Sequence, residues 1–323
     1  MSSPAAWPSD GLTAWVGEWC TARGLVIREA DPVRSMPWAS VVCFGLDGDP
    51  RPPVLWGKAA APPMATEVDL LPALARLVPD AVLAPLAADR ERGFLLLPDG
   101  GPTVNDVPPE DALSFWRTAV TGYARLQHRV AAHAGELLAA GAHDLRPDAT
   151  ADAVAELADR DDLHDVGGEH GLTDGEARRL REVAVPGARA VARLLADAAV
   201  PVSIQHDDLT PSNALLDGRW LDWGDASVAH PFASLLTLLD GTSGRPGGPS
   251  HQPAMRGLYL GVWAELIGVP LDRLEREAEL AVLLAPVGRA LAWLRAGPAA
   301  LELYPGQVTR WLRRLADSEW PPV

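Results

Sequence analysis

Residues 201–226 read PVSIQHDDLTPSNALLDGRWLDWGDA. A short apolar strand, residues 201–205, runs into His206-Asp207-Asp208; Asn213 follows Asp208 by five residues, and Asp222 and Asp225 close the segment. Asp217-Gly218 between apolar runs signals a two-residue hairpin turn. That turn predicts pairing of Leu216 with Arg219, Leu215 with Trp220, Ala214 with Leu221 and Asn213 with Asp222. Directly opposed residues of a hairpin lie with Cβ atoms roughly 4.5–5.5 Å apart on one face. An amide oxygen and a carboxylate so placed can share a hard divalent cation such as Mg²⁺, which takes oxygen ligands and keeps several waters. Asp208 reaches the same place across a four-residue loop, where a carboxylate can take the proton of an attacking hydroxyl. Singly, such residues merely populate turns; the three together, in register, carry the chemistry.

Outward from this segment the chain changes character at about residue 100. Before it, helical spacing is expected over 11–23, with Asp10 as N-cap, and over 64–77, where Pro72 should kink or split the helix. Strands are expected over 39–45, 53–58, 81–86 and 93–97, the first two joined by the turn LDGDPRP. After it, helices are expected over 109–139, 150–160, 174–198, 252–267, 270–296 and 305–317, with one β-like stretch over 201–223. Residues 241–253 look like a loop without core-forming content. The layout is a β-rich lobe, residues 1–99, and a larger, mainly helical lobe, residues 100–323.

His-x-Asp-x4-Asn followed by Asp-Trp-Gly-Asp resembles the catalytic-loop and metal-loop pair of protein-kinase-like phosphotransferases, and is most similar to the aminoglycoside phosphotransferase and choline kinase group. The resemblance implies an α+β, bilobal protein-kinase-like fold and ATP with Mg²⁺ as cofactors. It implies Asp208 as catalytic base, His206 as a brace of the catalytic loop, and Asn213 and Asp222 as metal ligands, with Asp225 a further metal-side candidate. The family usually has Gly where this chain has Asp207; the five-residue spacing to Asn213 selects Asp208. The family also needs a strand lysine paired with a helical glutamate. Of 28 basic side chains one is lysine, Lys58; it ends the strand VLWGK, and Glu67 begins the next helix. A Gly-rich phosphate loop is absent; the equivalent stretch is 34–40, where Ser40 could donate to a phosphate. Leu95, Leu97 and Asp99 would form the hinge that holds the nucleobase through backbone groups. His128 reads as a helix-face residue and His230 as structural.

The net charge of −15 argues against nucleic acid and anionic membranes as partners. No apolar run is long enough to span a membrane, and the N-terminus has no signal-peptide pattern. Two cysteines, Cys20 and Cys43, suit a cytoplasmic protein. Residues 144–176 hold eleven acidic side chains against two arginines, which would favour a cationic acceptor such as an aminoglycoside. A small-molecule acceptor and a monomer or homodimer are expected. Two alternatives compete: a catalytically weak nucleotide-binding homologue with a regulatory role, and a metal-dependent phosphohydrolase built on the His206-Asp207 doublet. The latter places its doublet on a helix, whereas this one follows a strand.

Overall fold

The computed structural model of the chain describes residues 7–48, 53–243 and 248–322. The N-terminal part builds helix α1 (Asp10–Thr21), strands β1 (Ile27–Met36), β2 (Ala39–Leu46) and β3 (Val54–Ala60), helix α2 (Thr66–Leu77), and strands β4 (Ala87–Asp89) and β5 (Phe94–Pro98). The five strands form one antiparallel sheet in the order β1-β2-β3-β5-β4. Leu12, Val16 and Cys20, spaced four apart on α1, pack with Val42, Phe44, Leu55 and Phe94 from the sheet. Leu12 and Val16 are fully buried, each contributing about 1.5–3 kcal/mol.

Several expectations change here. Asp10 lies inside α1 and Ser9 takes the N-cap position. One helix runs through Pro72, because Leu70, Leu71 and Leu74 beside it are buried in the core and their packing outweighs the lost hydrogen bond. Residues 81–86 form no strand: the stretch contributes one bridge, Val82 to Trp220, and the edge strand is β4. β1 carried no pattern because eight of its ten residues are exposed and Pro32 interrupts it; an edge strand tolerates both. Residues 49–52, within the expected turn after β2, lie outside the described residues.

The helical part comprises α3 (Pro109–Val130), α4 (Ala134–Ala139), α5 (Pro147–Ala158), α6 (Asp161–His164), α7 (Asp174–Arg179), α8 (Val185–Leu195), α9 (Leu235–Ser243), α10 (Gly248–Ile267), α11 (Leu271–Leu284), α12 (Pro286–Ala296), α13 (Pro298–Leu303) and α14 (Gln307–Asp317). The helix expected over 109–139 is broken at residues 131–133 by a 3₁₀ turn. Much of the expected loop 241–253 is helix, since α9 reaches Ser243 and α10 begins at Gly248; residues 244–247 lie outside the described residues.

A three-stranded sheet lies inside this lobe: β6 (His143–Leu145), β7 (Ser203–Gln205) and β8 (Ser227–Ala229), in the order β6-β8-β7. β7 and β8 are antiparallel, with Gln205 opposite Ser227. The chain leaving β7 at His206 and the chain entering β8 from Asp222 therefore meet at one end of the sheet. That topology is what brings the two acidic motifs together.

Candidate active site

Lys58 extends from β3 and its Nζ donates to Glu67 Oε2 on α2 and to Asp222 Oδ1, both at 2.6 Å. The Glu67 side chain is only 4% exposed, and its other oxygen accepts the backbone N–H of Trp223 at 2.9 Å. Glu67 thus clamps Lys58 and the loop after Asp222 at once, from the wall of the cavity described below. Burial would depress the Lys58 amine, but Asp222 and Glu67 outweigh it and hold the ammonium above its ordinary range. The same ion pair, working against burial, holds the Asp222 carboxyl low.

The hairpin differs from its predicted register by one residue. Leu215 N–H donates to Arg219 O at 2.9 Å, Leu221 N–H donates to Asn213 O at 2.9 Å, and Ala214 pairs with Trp220. The turn is a three-residue loop, residues 216–218, closed by Gly218 N–H to Leu215 O at 3.0 Å, with Gly218 at φ +88°. Asp217 favours it by accepting from Arg219 N–H at 3.1 Å. Asn213 therefore opposes Leu221, not Asp222. A one-residue slip sends a side chain to the other face, but Asp222 adopts φ +61°, which re-aims its carboxylate. Asn213 and Asp222 both line one cavity of about 740 Å³ between the lobes.

Asp208 lines this cavity too. Its side-chain oxygen Oδ2 and its backbone oxygen each accept from Asn213 Nδ2 at 3.0 Å. The Asn213 amide oxygen is then the atom left for a cation. Burial pushes the Asp208 carboxyl up, Arg289 and His206 oppose it, and Asp222 and Asp225 add to it.

His206 is fully buried and does not reach the cavity, so it is not a catalytic residue in the sense of touching substrate. Its Nε2 lies 2.6 Å from Leu221 O and its Nδ1 accepts from Asp208 N–H at 3.3 Å, which assigns the Nε2–H tautomer. One imidazole thereby ties the loop that carries Asp208 to the residue before Asp222. Tyr123 Oη accepts from His206 N–H at 2.9 Å, and Gln127 Nε2 donates to Ile204 O at 2.7 Å. These two supports sit four apart on α3; two polar residues on its inward face were the available signal.

Asp225 borders the cavity, but it is matched by Arg289 at 3.1 Å and Arg295 at 3.7 Å. Its Oδ2 accepts from Arg289, while its Oδ1 has no hydrogen-bond partner. Arg289 also donates to Asp207 O at 2.8 Å, so α12 holds both loops. Neither arginine has a motif in the sequence.

Ser40 is buried, donates to Trp7 O at 2.5 Å and does not line the cavity; strand alternation turns it away, while its neighbours Ala39 and Val41 face in. Leu95 is likewise buried in the core. Leu97 and Asp99 do line the cavity, and Asp99 accepts from Trp56 Nε1 at 3.2 Å. Arg34 faces the cavity from the exposed strand β1. No residue of 144–176 lines the cavity; Asp144, Asp161, Asp162 and Glu176 are engaged by Arg146, Arg181, Arg160 and Arg313. His128 packs on Trp263, and His230 caps the turn after it by accepting from Phe232 N–H at 3.2 Å.

A lysine–glutamate pair on a small antiparallel sheet, set over a helical lobe whose paired loops present an acid, an amide and a second acid, defines the class of kinase-like small-molecule phosphotransferases. Solved structures agree on the fold. The macrolide 2'-phosphotransferase MphH of Brachybacterium faecium matches with TM-score 0.55 and 20% identity over 95% of this chain and 99% of its own. The choline kinase LicA of Streptococcus pneumoniae matches with TM-score 0.58 and 12% identity over 96% and 100%. A thermostable mutant of aminoglycoside phosphotransferase APH(4)-Ia, in ternary complex with ADP and hygromycin B, matches with TM-score 0.53 and 13% identity over 95% and 97%. No curated protein matches in sequence. Residues 51–269 match the model of the phosphotransferase enzyme family, and the chain belongs to that family. It is therefore a phosphotransferase by family.

Proposed function

We propose that the chain transfers the γ-phosphoryl group of ATP, with Mg²⁺, to a hydroxyl of a small molecule. The observation that supports it most is the convergence of Lys58, Asp208, Asn213 and Asp222 on one cavity, with Lys58 Nζ bonded to Asp222 at 2.6 Å across the lobes. The donor set suits Mg²⁺: an amide oxygen from Asn213 and carboxylate oxygens from Asp222, whose side chain is 43% exposed. Bound there, the ion would neutralise charge on the phosphate oxygens.

Asp208 is positioned to accept the proton of the acceptor hydroxyl as its oxygen bonds to the γ-phosphorus and the bond to ADP breaks. Its raised pKa helps it hold that proton. Lys58, kept charged, steadies the phosphates, Glu67 positions Lys58, and His206 fixes the backbone that carries Asp208. The nucleobase would lie at the hinge, near Leu97 and Asp99.

Isothermal titration and ADP release test this. Asp208→Asn should lower kcat by roughly 10²–10⁴-fold and leave Mg-ATP affinity nearly intact. Asp222→Ala should abolish Mg²⁺-dependent nucleotide binding. The reverse pattern refutes the role assignment, and a wild-type chain that binds no Mg-ATP refutes the function.

A further inference from the structure

Six acids line the cavity, Asp99 and Asp106 among them, against three bases, Arg34, Lys58 and Arg289. A nucleoside triphosphate adds to that negative excess, and a Mg²⁺ ion offsets only part of it. Two of the bases are committed, Lys58 to Glu67 and Asp222, and Arg289 to Asp225. Among the described residues the Arg34 side chain has no ion pair and no hydrogen bond.

The sheet register puts this guanidinium in line with Lys58. Arg34 stands opposite Val41, Val41 opposite Lys58, and Lys58 opposite Leu95. One row therefore runs across β1, β2, β3 and β5, and Arg34, Val41 and Lys58 all face the cavity from it. Neighbouring strands lie about 4.8 Å apart, so the Arg34 backbone stands about 10 Å beyond that of Lys58, on the side away from the hinge at Leu97 and Asp99. A bulge sets this row. Pro32 opposes Val42 and Arg34 opposes Val41, which makes Val33 an extra residue on β1. Bulges re-aim side chains; without this one, Val33 would stand opposite Val41. The turn that follows has Pro37, which lacks an N–H, and no glycine to let its backbone close on a phosphate. The charge of Arg34 is felt within the site: Lys58 does most to hold the Asp222 carboxyl low, and Arg34 adds to that pull.

Resting on the phosphotransferase reading above, we propose that Arg34 is a nucleotide-binding residue whose guanidinium grips the phosphate chain beyond Lys58. A nucleotide with its base at the hinge runs its phosphates across β3 towards β1, where the planar fork can take two phosphate oxygens at once. A side chain on the edge strand thus supplies the grip that the backbone of the β1–β2 turn does not.

Isothermal titration of the full chain with Mg-ATP tests this. Arg34→Gln should raise Kd by roughly 10–100-fold, with the urea midpoint unchanged because the side chain is exposed. Arg34→Lys, which keeps the charge and loses the fork, should recover part of that affinity. Arg28→Gln alters an exposed arginine of the same strand that lies outside the cavity, and should bind as the parent chain does. A Kd for Arg34→Gln within about twofold of the parent overturns the proposal, as does an equal loss in Arg28→Gln or no recovery in Arg34→Lys. In each of those cases Mg-ATP binding by the parent chain leaves the phosphotransferase reading standing. A parent chain that binds no Mg-ATP overturns both.

Discussion

Asp207 occupies the place where the family usually has glycine, and its backbone explains why: φ is +67°. The side chain is fully buried, with Oδ1 accepting from Gln205 Nε2 at 2.9 Å. Gly288 on α12 gives it room, since a Cβ there would stand 2.3 Å from Asp207 Oδ2. Burial, against the pull of Arg289, pushes this carboxyl up to about 6. The unfolded chain titrates it near 3.9. Between those values the native state binds more protons, so this group adds stability as pH falls from 6 toward 4. Above 6 the buried charge costs about 3 kcal/mol at most. Asp207→Asn tolerates the positive φ and removes the charge. It should be more stable than the parent chain at pH 8, with the gain shrinking toward pH 4.5. Urea unfolding at both values checks this; equal destabilisation at both would refute it. Lys58→Met belongs to the same scale. It leaves Glu67, 4% exposed, and Asp222 without their cation, and should destabilise the chain by about 3 kcal/mol as well as abolish turnover.

At the scale of elements, the hairpin 213–222 decides the site. Its turn needs one residue with positive φ, and Gly218 supplies it at +88° with no atom within 4 Å of an added Cβ. Gly218→Ala should therefore cost about 1 kcal/mol through backbone strain alone, read as a lower urea midpoint with an unchanged slope. No measurable cost would mean that the turn adapts. The existence of this hairpin was legible in Asp217-Gly218. Its register was not, because Asp-Gly serves both two- and three-residue loops and the choice rests on hydrogen bonds to neighbouring segments. Trp220 N–H donates to Ala81 O at 3.0 Å and Leu216 N–H to Pro102 O at 3.0 Å. Most long helices were legible from their apolar spacing, including α2 despite Pro72. β1 was not, since a solvent-facing edge strand needs no alternation.

At the scale of the whole molecule, the described residues form two hydrophobic clusters, one between α1 and the N-terminal sheet and one much larger. Leu70, Leu71 and Leu74 of α2 and Leu95 of β5 belong to the larger cluster. The cores thus overlap the expected boundary at residue 99, and the contacts Lys58–Asp222 and Trp38–Trp293 span the cleft between the lobes. Heating should give one cooperative transition. Mg-ATP at 100 times its dissociation constant should add about 2.7 kcal/mol, seen as a higher Tm that EDTA reverses. Two separated transitions, with only one moved by nucleotide, would show independent lobes.

The order of chemical groups along the chain belongs to the sequence alone: one lysine, a glutamate nine residues on, then His206, Asp208, Asn213 and Asp222 at spacings that resemble the phosphotransferase motifs. Those groups were readable because each must be a particular residue type at a local distance from the next. The register of the hairpin, the retreat of Ser40 and Leu95 from the cavity, the pairing of Asp225 with Arg289 and Arg295, and the distance of the acidic helices from Asp208 were settled only by tertiary structure. Each depends on which face of an element packs against a partner far away in the chain, and local pattern carries no record of that partner.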